Sequence, residues 1–169
     1  MRRNYDIIVI NVLALAIGII LYDLLEKKIE ILAATIATGI SLALGIRNYN
    51  TENDKLFKEL FSEFNLKYAE NFNDKLLEIV KKYNENNAYK LVGDEEMFVI
   101  EYLNFCSEEY LWYSKNRIPK IVWESWENGM IYFLCKPPIC SVCNKEMKQK
   151  DSYYKFFEKI ERRLQECCN

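Results

Sequence analysis

The sequence predicts an all-α protein, in which an N-terminal transmembrane helical hairpin is followed by a cytosolic bundle of about five helices. Two apolar runs, Ile7 to Tyr22 and Ile31 to Ile46, lie close together near the N-terminus. The remaining chain repeats apolar and aromatic residues at helical spacing and lacks the alternation typical of half-buried strands. We therefore expect a transmembrane hairpin at residues 1–48, with spans at about 6–23 and 30–46, and a cytosolic helical domain at residues 49–169.

Both apolar runs are free of charged residues. With a residue or two added at each end, either run makes a helix of about 27 Å, which just crosses a hydrocarbon core. We favour membrane spans over a buried core hairpin, because a core helix normally keeps a polar stripe facing water. A cleaved signal peptide is a weaker alternative, since a second apolar run follows at once.

The second apolar run carries a small side chain at every fourth position, which places four of them on one helix face. We call this set the small-residue ridge: Ala33, Ala37, Ser41 and Gly45. A ridge of small residues lets another helix backbone approach closely within a membrane. The partners that this pattern predicts are the lipid bilayer and further copies of the same chain.

The first apolar run offers Asn11, Ala14 and Gly18 on one face. Antiparallel pairing of the two runs would place Ala14 near Thr38. Simple hairpin packing is the favoured interpretation of these residues; the sharper one is that a polar strip lines contacts between protomers or a water-filled pore. The full set that we assign to membrane-helix packing or a pore is Asn11, Ala14, Gly18, Ala33, Thr35, Ala37, Thr38, Ser41 and Gly45.

The cytosolic domain reads as a succession of amphipathic helices. We expect helices over about residues 51–69, 73–84, 94–114, 119–134 and 152–165. Thr51 offers capping chemistry for the first of these helices, and Pro137 with Pro138 should follow the end of the fourth. Gly129, on the same face as Trp126, is expected to mark close helix packing in preference to a ligand gap.

Enzymatic chemistry is not expected, and no cofactor is predicted. The chain contains no histidine, so Ser-His and Cys-His nucleophiles and histidine-bearing metal sites cannot form. Phosphate-binding and nucleophile-elbow glycine motifs are also missing from the sequence. The formal net charge of −2 gives no support to general DNA binding.

Six cysteines are present, and we expect most of them to be free thiols. A structural zinc site is the less favoured interpretation, with candidate ligands Cys140, Cys143, Cys167 and Cys168. An even number of spans and this number of cysteines favour both termini in a reducing cytoplasm. The basic residues around the two predicted spans indicate the orientation only weakly.

A cluster of basic residues lies towards the C-terminus. We call it the basic face: Lys145, Lys148, Lys150, Lys159, Arg162 and Arg163. A solvated helix surface is the favoured interpretation, and binding of an anionic lipid headgroup or a nucleotide signal is the sharper one.

Three segments carry a family resemblance: LFKELFSEFNLKYAENFND, EYLNFCSEEYLWYSKNRIPKIVWESWENGM and SYYKFF. They resemble a helical domain that follows one or two membrane spans in many bacterial proteins. These proteins are similar to the small membrane effectors encoded beside retrons and to the membrane accessory proteins of type VI CRISPR systems, some of which are described as divergent HEPN-like domains.

The resemblance implies an antiphage effector of the bacterial inner membrane, which oligomerises through its hairpin and perturbs the membrane when its cytosolic domain is triggered. A defence-system protein, an RNA or a nucleotide signal would supply the trigger. The alternative is a passive membrane anchor whose helical domain docks a soluble partner. A degenerate HEPN-like RNA or nucleotide sensor is more distant, and the missing histidine argues against RNA cleavage.

Overall fold

The computed structural model of the chain describes residues 2–24 and 29–168, except for the side chains of residues 2–7, 10, 11 and 32. Every regular element in these ranges is helical, which confirms the predicted all-α class. The elements are α1 (Arg2–Leu24), α2 (Ile29–Asn71), α3 (Asn73–Glu85), α4 (Asp94–Ser114), α5 (Lys120–Leu134), α6 (Pro137–Glu146), a 3-10 helix (Met147–Tyr153) and α7 (Phe156–Cys167).

The chain forms two compact units, Met1–Leu56 and Phe57–Asn169. Helix α2 extends over 43 residues without a break, and the boundary between the two units, after Leu56, lies within it. The expected helix start near residue 51 is therefore wrong. Thr51 does not cap a helix; its Oγ1 donates a hydrogen bond to the carbonyl of Arg47, 3.0 Å away, which satisfies the hydroxyl inside a continuing helix.

Helix α6 is not among the helices that the sequence predicts, in which the two prolines only follow the end of the fourth helix. Pro137 and Pro138 instead occupy its first turn. The backbone N–H groups of a first turn have no acceptor within the helix, so proline, which lacks an N–H and has φ fixed near the helical value, fits there. The last helix begins at Phe156 and not near residue 152. Tyr154 and Lys155 have φ of 49° and 68°, and this left-handed backbone separates α7 from the 3-10 helix.

Helix α4 lies at the centre of the second unit. It packs against α5, α6 and α7, and its buried residues Val99, Leu103 and Cys106 are fully shielded from solvent. Rings extend this core on the side of α2, where the ring centroid of Phe72 lies 4.9 Å from that of Phe105. A helix covered on several sides needs apolar residues around most of its circumference, as the sequence of α4 has.

The buried position of Leu103 predicts a large cost for Leu103→Ala, about 2–5 kcal/mol from lost transfer energy and a residual cavity. Leu77→Ala is the matched control. Because Leu77 is 48% exposed, its truncation should change the free energy of unfolding by less than about 0.5 kcal/mol. Denaturant unfolding of the full chain in detergent, followed by circular dichroism, measures both; equal losses would contradict the central position of α4.

Candidate functional site

The apolar helices of the first unit are unusually exposed. By length and composition, α2 is the one described helix long and apolar enough to cross a membrane, and only 6% of its apolar window is buried. The described apolar part of α1, Val12–Leu24, is shorter. Large side chains such as Val12 and Leu42 are more than half exposed.

A cleft of about 450 Å³ lies between α1 and α2, and Ala14, Thr35 and Thr38 are among the residues that line it. The hydroxyl groups of both threonines are hydrogen-bonded within their own helix. Thr35 Oγ1 donates to the carbonyl of Ile31 at 2.8 Å, and Thr38 Oγ1 donates to that of Ala34 at 2.9 Å. Gly18 is buried, as is Gly39 of α2. The side chain of Asn11 lies outside the described part of the chain.

The small-residue ridge does not take part in this cleft. All four of its residues are exposed, and a Cβ placed on Gly45 would meet no atom within 4 Å. Ser41 Oγ donates to the carbonyl of Ala37 at 2.9 Å, so its polar group is satisfied by its own helix. The ridge is therefore open to contact from another helix.

The basic face is largely paired with carboxylates. Glu127, only 8% exposed, accepts hydrogen bonds from Arg163 Nη1 at 3.1 Å and from Trp123 Nε1 at 2.6 Å, and Lys159 lies 3.9 Å away. Arg163 also donates to Asn128 at 2.9 Å. This network joins α7 to α5, which gives two of the six basic residues a structural role.

Two more residues of the basic face are engaged in ion pairs. Lys145 Nζ lies 2.9 Å from Glu96 Oε1, and Arg162 Nε lies 3.7 Å from Glu166 Oε1. The remaining two are exposed: Lys148 and Lys150. A set whose charges are mostly balanced presents little uncompensated positive potential to an anion.

Four of the six cysteines are joined in disulfides, Cys135–Cys167 and Cys140–Cys168, with Cα–Cα distances of 5.5 and 6.0 Å. The expectation that most cysteines are free thiols is therefore wrong. The physical reason is α6, which carries Cys140 to the end of α7. The adjacent cysteines there reach two different helices, Cys167 towards α5 and Cys168 towards α6.

The candidate zinc set is not brought together as a unit. Cys167 pairs with Cys135, which lay outside that set, and burial raises the pKa of the Cys143 thiol to about 12. Among the described residues, no group of three or more Cys, Asp or Glu side chains is placed to hold a metal ion.

A second cavity lies inside the second unit, between α2, α4 and α5. We call it the Glu109 cavity; its volume is about 180 Å³. Its lining residues are Asn65, Tyr68, Tyr102, Phe105, Glu109, Ser125, Trp126, Gly129 and Met130. The expectation that Gly129 marks close helix packing is wrong, because a Cβ at this position would meet no atom within 4 Å.

Glu109 is 5% exposed, and no hydrogen bond or ion pair to its carboxyl is present in the described ranges. Its oxygens are not among the described side-chain atoms that are fully shielded from solvent without a partner, so the carboxyl reaches the solvent of the cavity. Burial raises the pKa of Glu109 well above the usual carboxyl range; the nearby charge of Glu108 raises it further, and Lys67 opposes the shift. A buried carboxyl without a partner is unusual, since burial of a polar group costs free energy unless it is hydrogen-bonded.

Glu109 is not among the candidate site residues that the sequence predicts. A signal was present, because Tyr102, Phe105 and Glu109 recur at i, i+3 and i+7 and so share one helix face. A glutamate on the same helix face as two aromatic residues is expected to be buried. Because acidic residues are seldom buried without a partner, such a position indicates a specific role for the carboxyl.

No family model matches the chain, and neither a curated protein nor a solved structure matches it. Two features of the molecule depart from an ordinary packed fold: the exposed apolar surface of α1 and α2, and the Glu109 cavity.

The disulfides predict how many thiols can be modified. Protein purified without reductant, then denatured and alkylated, should gain two adducts, at Cys106 and Cys143, and six after reduction, as measured by intact mass. Cys140→Ser should expose its partner and give three adducts without reduction. Six adducts before reduction, or one zinc ion per chain in metal analysis, would contradict this arrangement.

Proposed function

We propose that the chain is a bacterial inner-membrane effector whose α1 and α2 insert into the lipid bilayer as a two-span hairpin. The observation that carries the proposal is the exposure of an apolar window of α2 with mean hydropathy 1.9, of which only 6% is buried. A core helix of a soluble protein buries such a surface against its neighbours. A bilayer removes the same surface from water, which is favourable in proportion to the apolar area.

Assembly in the membrane is proposed to use the small-residue ridge. Its four residues are exposed, and Gly45 leaves open space where another backbone can approach. Within a bilayer, helices associate through close packing of this kind, because lipid already satisfies the hydrophobic side chains. Oligomers built on the ridge would gather several hairpins and perturb or permeabilise the membrane.

The defence role of this effector rests on the resemblance of the helical domain to antiphage membrane proteins. In this proposal the second unit receives the trigger, which would be a defence-system protein, an RNA or a nucleotide signal, and it acts without catalysis. The absence of histidine from the sequence supports the non-catalytic role.

Both termini are proposed to lie in the cytoplasm. Arg2, Arg3 and Arg47 flank one end of the proposed spans, and Lys27 and Lys28 belong to the link at the other end. An excess of one basic residue favours this orientation only weakly. The cysteines no longer support it, because disulfides persist mainly in oxidising compartments.

The orientation is tested with reporters that act in only one compartment. A reporter fused after residue 169 should be active in the cytoplasm, and one inserted in the link at residues 26–28 should be active outside it. The reverse pattern would place the disulfide-bonded unit in the periplasm and refute the proposed orientation.

The ridge is tested by substitutions that fill it. Gly45→Leu and Ala37→Leu should still insert, since leucine favours the bilayer, but they separate the backbones. Each 1.4 kcal/mol of lost contact weakens association about tenfold, so the oligomer should dissociate in detergent and dye leakage from cells should fall with it.

Leu44→Ala provides the control, because Leu44 lies outside the ridge on the same helix and is also exposed. Its oligomer size and leakage should stay close to those of the wild type. If ridge and control variants behave alike, the hairpin serves only as an anchor, and docking of a soluble partner to the second unit becomes the better account.

A further inference from the structure

The Glu109 cavity has a buried end and a solvent-exposed rim. Glu109 and Tyr102 are 5% and 2% exposed, whereas Asn65, Ser125 and Gly129 are exposed. A molecule entering from solvent passes a polar rim and meets the carboxyl at the buried end. The absence of a side chain at Gly129 keeps this entrance open, because no atom lies within 4 Å of the position that a Cβ would take.

No basic side chain lines the cavity. None of its nine lining residues is a lysine or an arginine, and Glu109 is its one carboxylic acid. Lys67, the cation whose charge acts on Glu109, is paired with Glu108 at 3.4 Å, and its Nζ lies 5.5 Å from the ring centroid of Phe105, so the other three aromatic residues of the lining are the ones offered to a ligand. A site of this kind disfavours phosphates and other anions and favours a ligand that brings a positive charge to the carboxyl.

The walls add a second attraction for cations. Four aromatic residues line the cavity: Tyr68, Tyr102, Phe105 and Trp126. Ring faces carry negative charge density and attract ammonium groups that approach within about 6 Å of the centroid. Trp126 is held in place by Phe61 and Phe64, whose ring centroids each lie 5.9 Å from its own, so this wall is formed before any ligand arrives.

We propose that the Glu109 cavity binds a small organic ammonium ion, with its alkyl groups against the aromatic walls and its nitrogen beside the Glu109 carboxyl, which releases its proton to solvent as the cation binds. A cavity of about 150 Å³ accommodates benzene, so the cavity of about 180 Å³ accepts a molecule of the size of choline. A nucleotide is too large and carries the wrong charge. The inference goes beyond the membrane proposal, because binding at this site does not require insertion or assembly.

A pair of isosteric probes isolates the charge. Choline and 3,3-dimethyl-1-butanol differ by the exchange of a positive nitrogen for a neutral carbon, so both fit the same space. Isothermal titration of the full chain in detergent should show choline binding at least about tenfold more tightly than the alcohol. Ethanolamine, which carries a primary ammonium group, forms a third arm and should also bind more tightly than the neutral alcohol.

Glu109→Gln keeps the shape of the side chain and removes its charge, so it should abolish the preference for choline over the alcohol. Glu108→Gln is the matched control, one residue away and already paired with Lys67, and it should keep that preference. Should Glu109→Gln fail to fold by circular dichroism, Gly129→Leu takes its place. Leucine at this position extends into open space at the entrance and should weaken binding of both probes.

Equal affinity for choline and its neutral isostere would overturn the proposal, as would the absence of saturable binding by either ammonium ion. Unchanged selectivity in a folded Glu109→Gln variant would overturn it too. The result is separable from the membrane proposal, since a chain that binds choline but causes no leakage refutes the effector and keeps the site.

Discussion

Burial of α4 on most of its circumference is the constraint on which the second unit depends. Helices α5, α6 and α7 all pack against it, and the aromatic rings of Phe72 and Phe105 extend the same core towards α2. A helix enclosed in this way has almost no surface for polar residues. Glu109 is therefore buried by the packing of its own helix, and the space beside it is the Glu109 cavity.

The end of the chain is held by covalent and polar links together. Two disulfides tie Cys167 and Cys168 to α5 and α6, while Arg163 of α7 binds the buried carboxylate of Glu127 on α5. Closing a loop with a disulfide lowers the entropy of the unfolded chain and typically adds about 2–4 kcal/mol of stability. Helix α7, which has only 12 residues, gains its fixed position from these links.

The two functional proposals arise from departures from the ordinary distribution of side chains. In the first unit, large apolar residues are exposed along α1 and α2, where a soluble protein would bury them. In the second unit, the carboxyl of Glu109 has no partner in the described ranges and lines a cavity, where a stable core would place an apolar residue. Lipid would satisfy the first surface, and a cation would satisfy the second.

The sequence by itself determined most of the helical segments of the chain. Periodicity and end signals predicted the all-α class and the limits of α4 and α5, because these depend on residues within a few positions of one another. Tertiary structure alone decided the disulfide partners, the acceptor of Arg163 and the cavity beside Gly129, since each joins residues far apart in the chain. Periodicity could place Glu109 on the aromatic face of α4, but whether that face closes tightly or leaves a cavity depends on how α2 and α5 approach it.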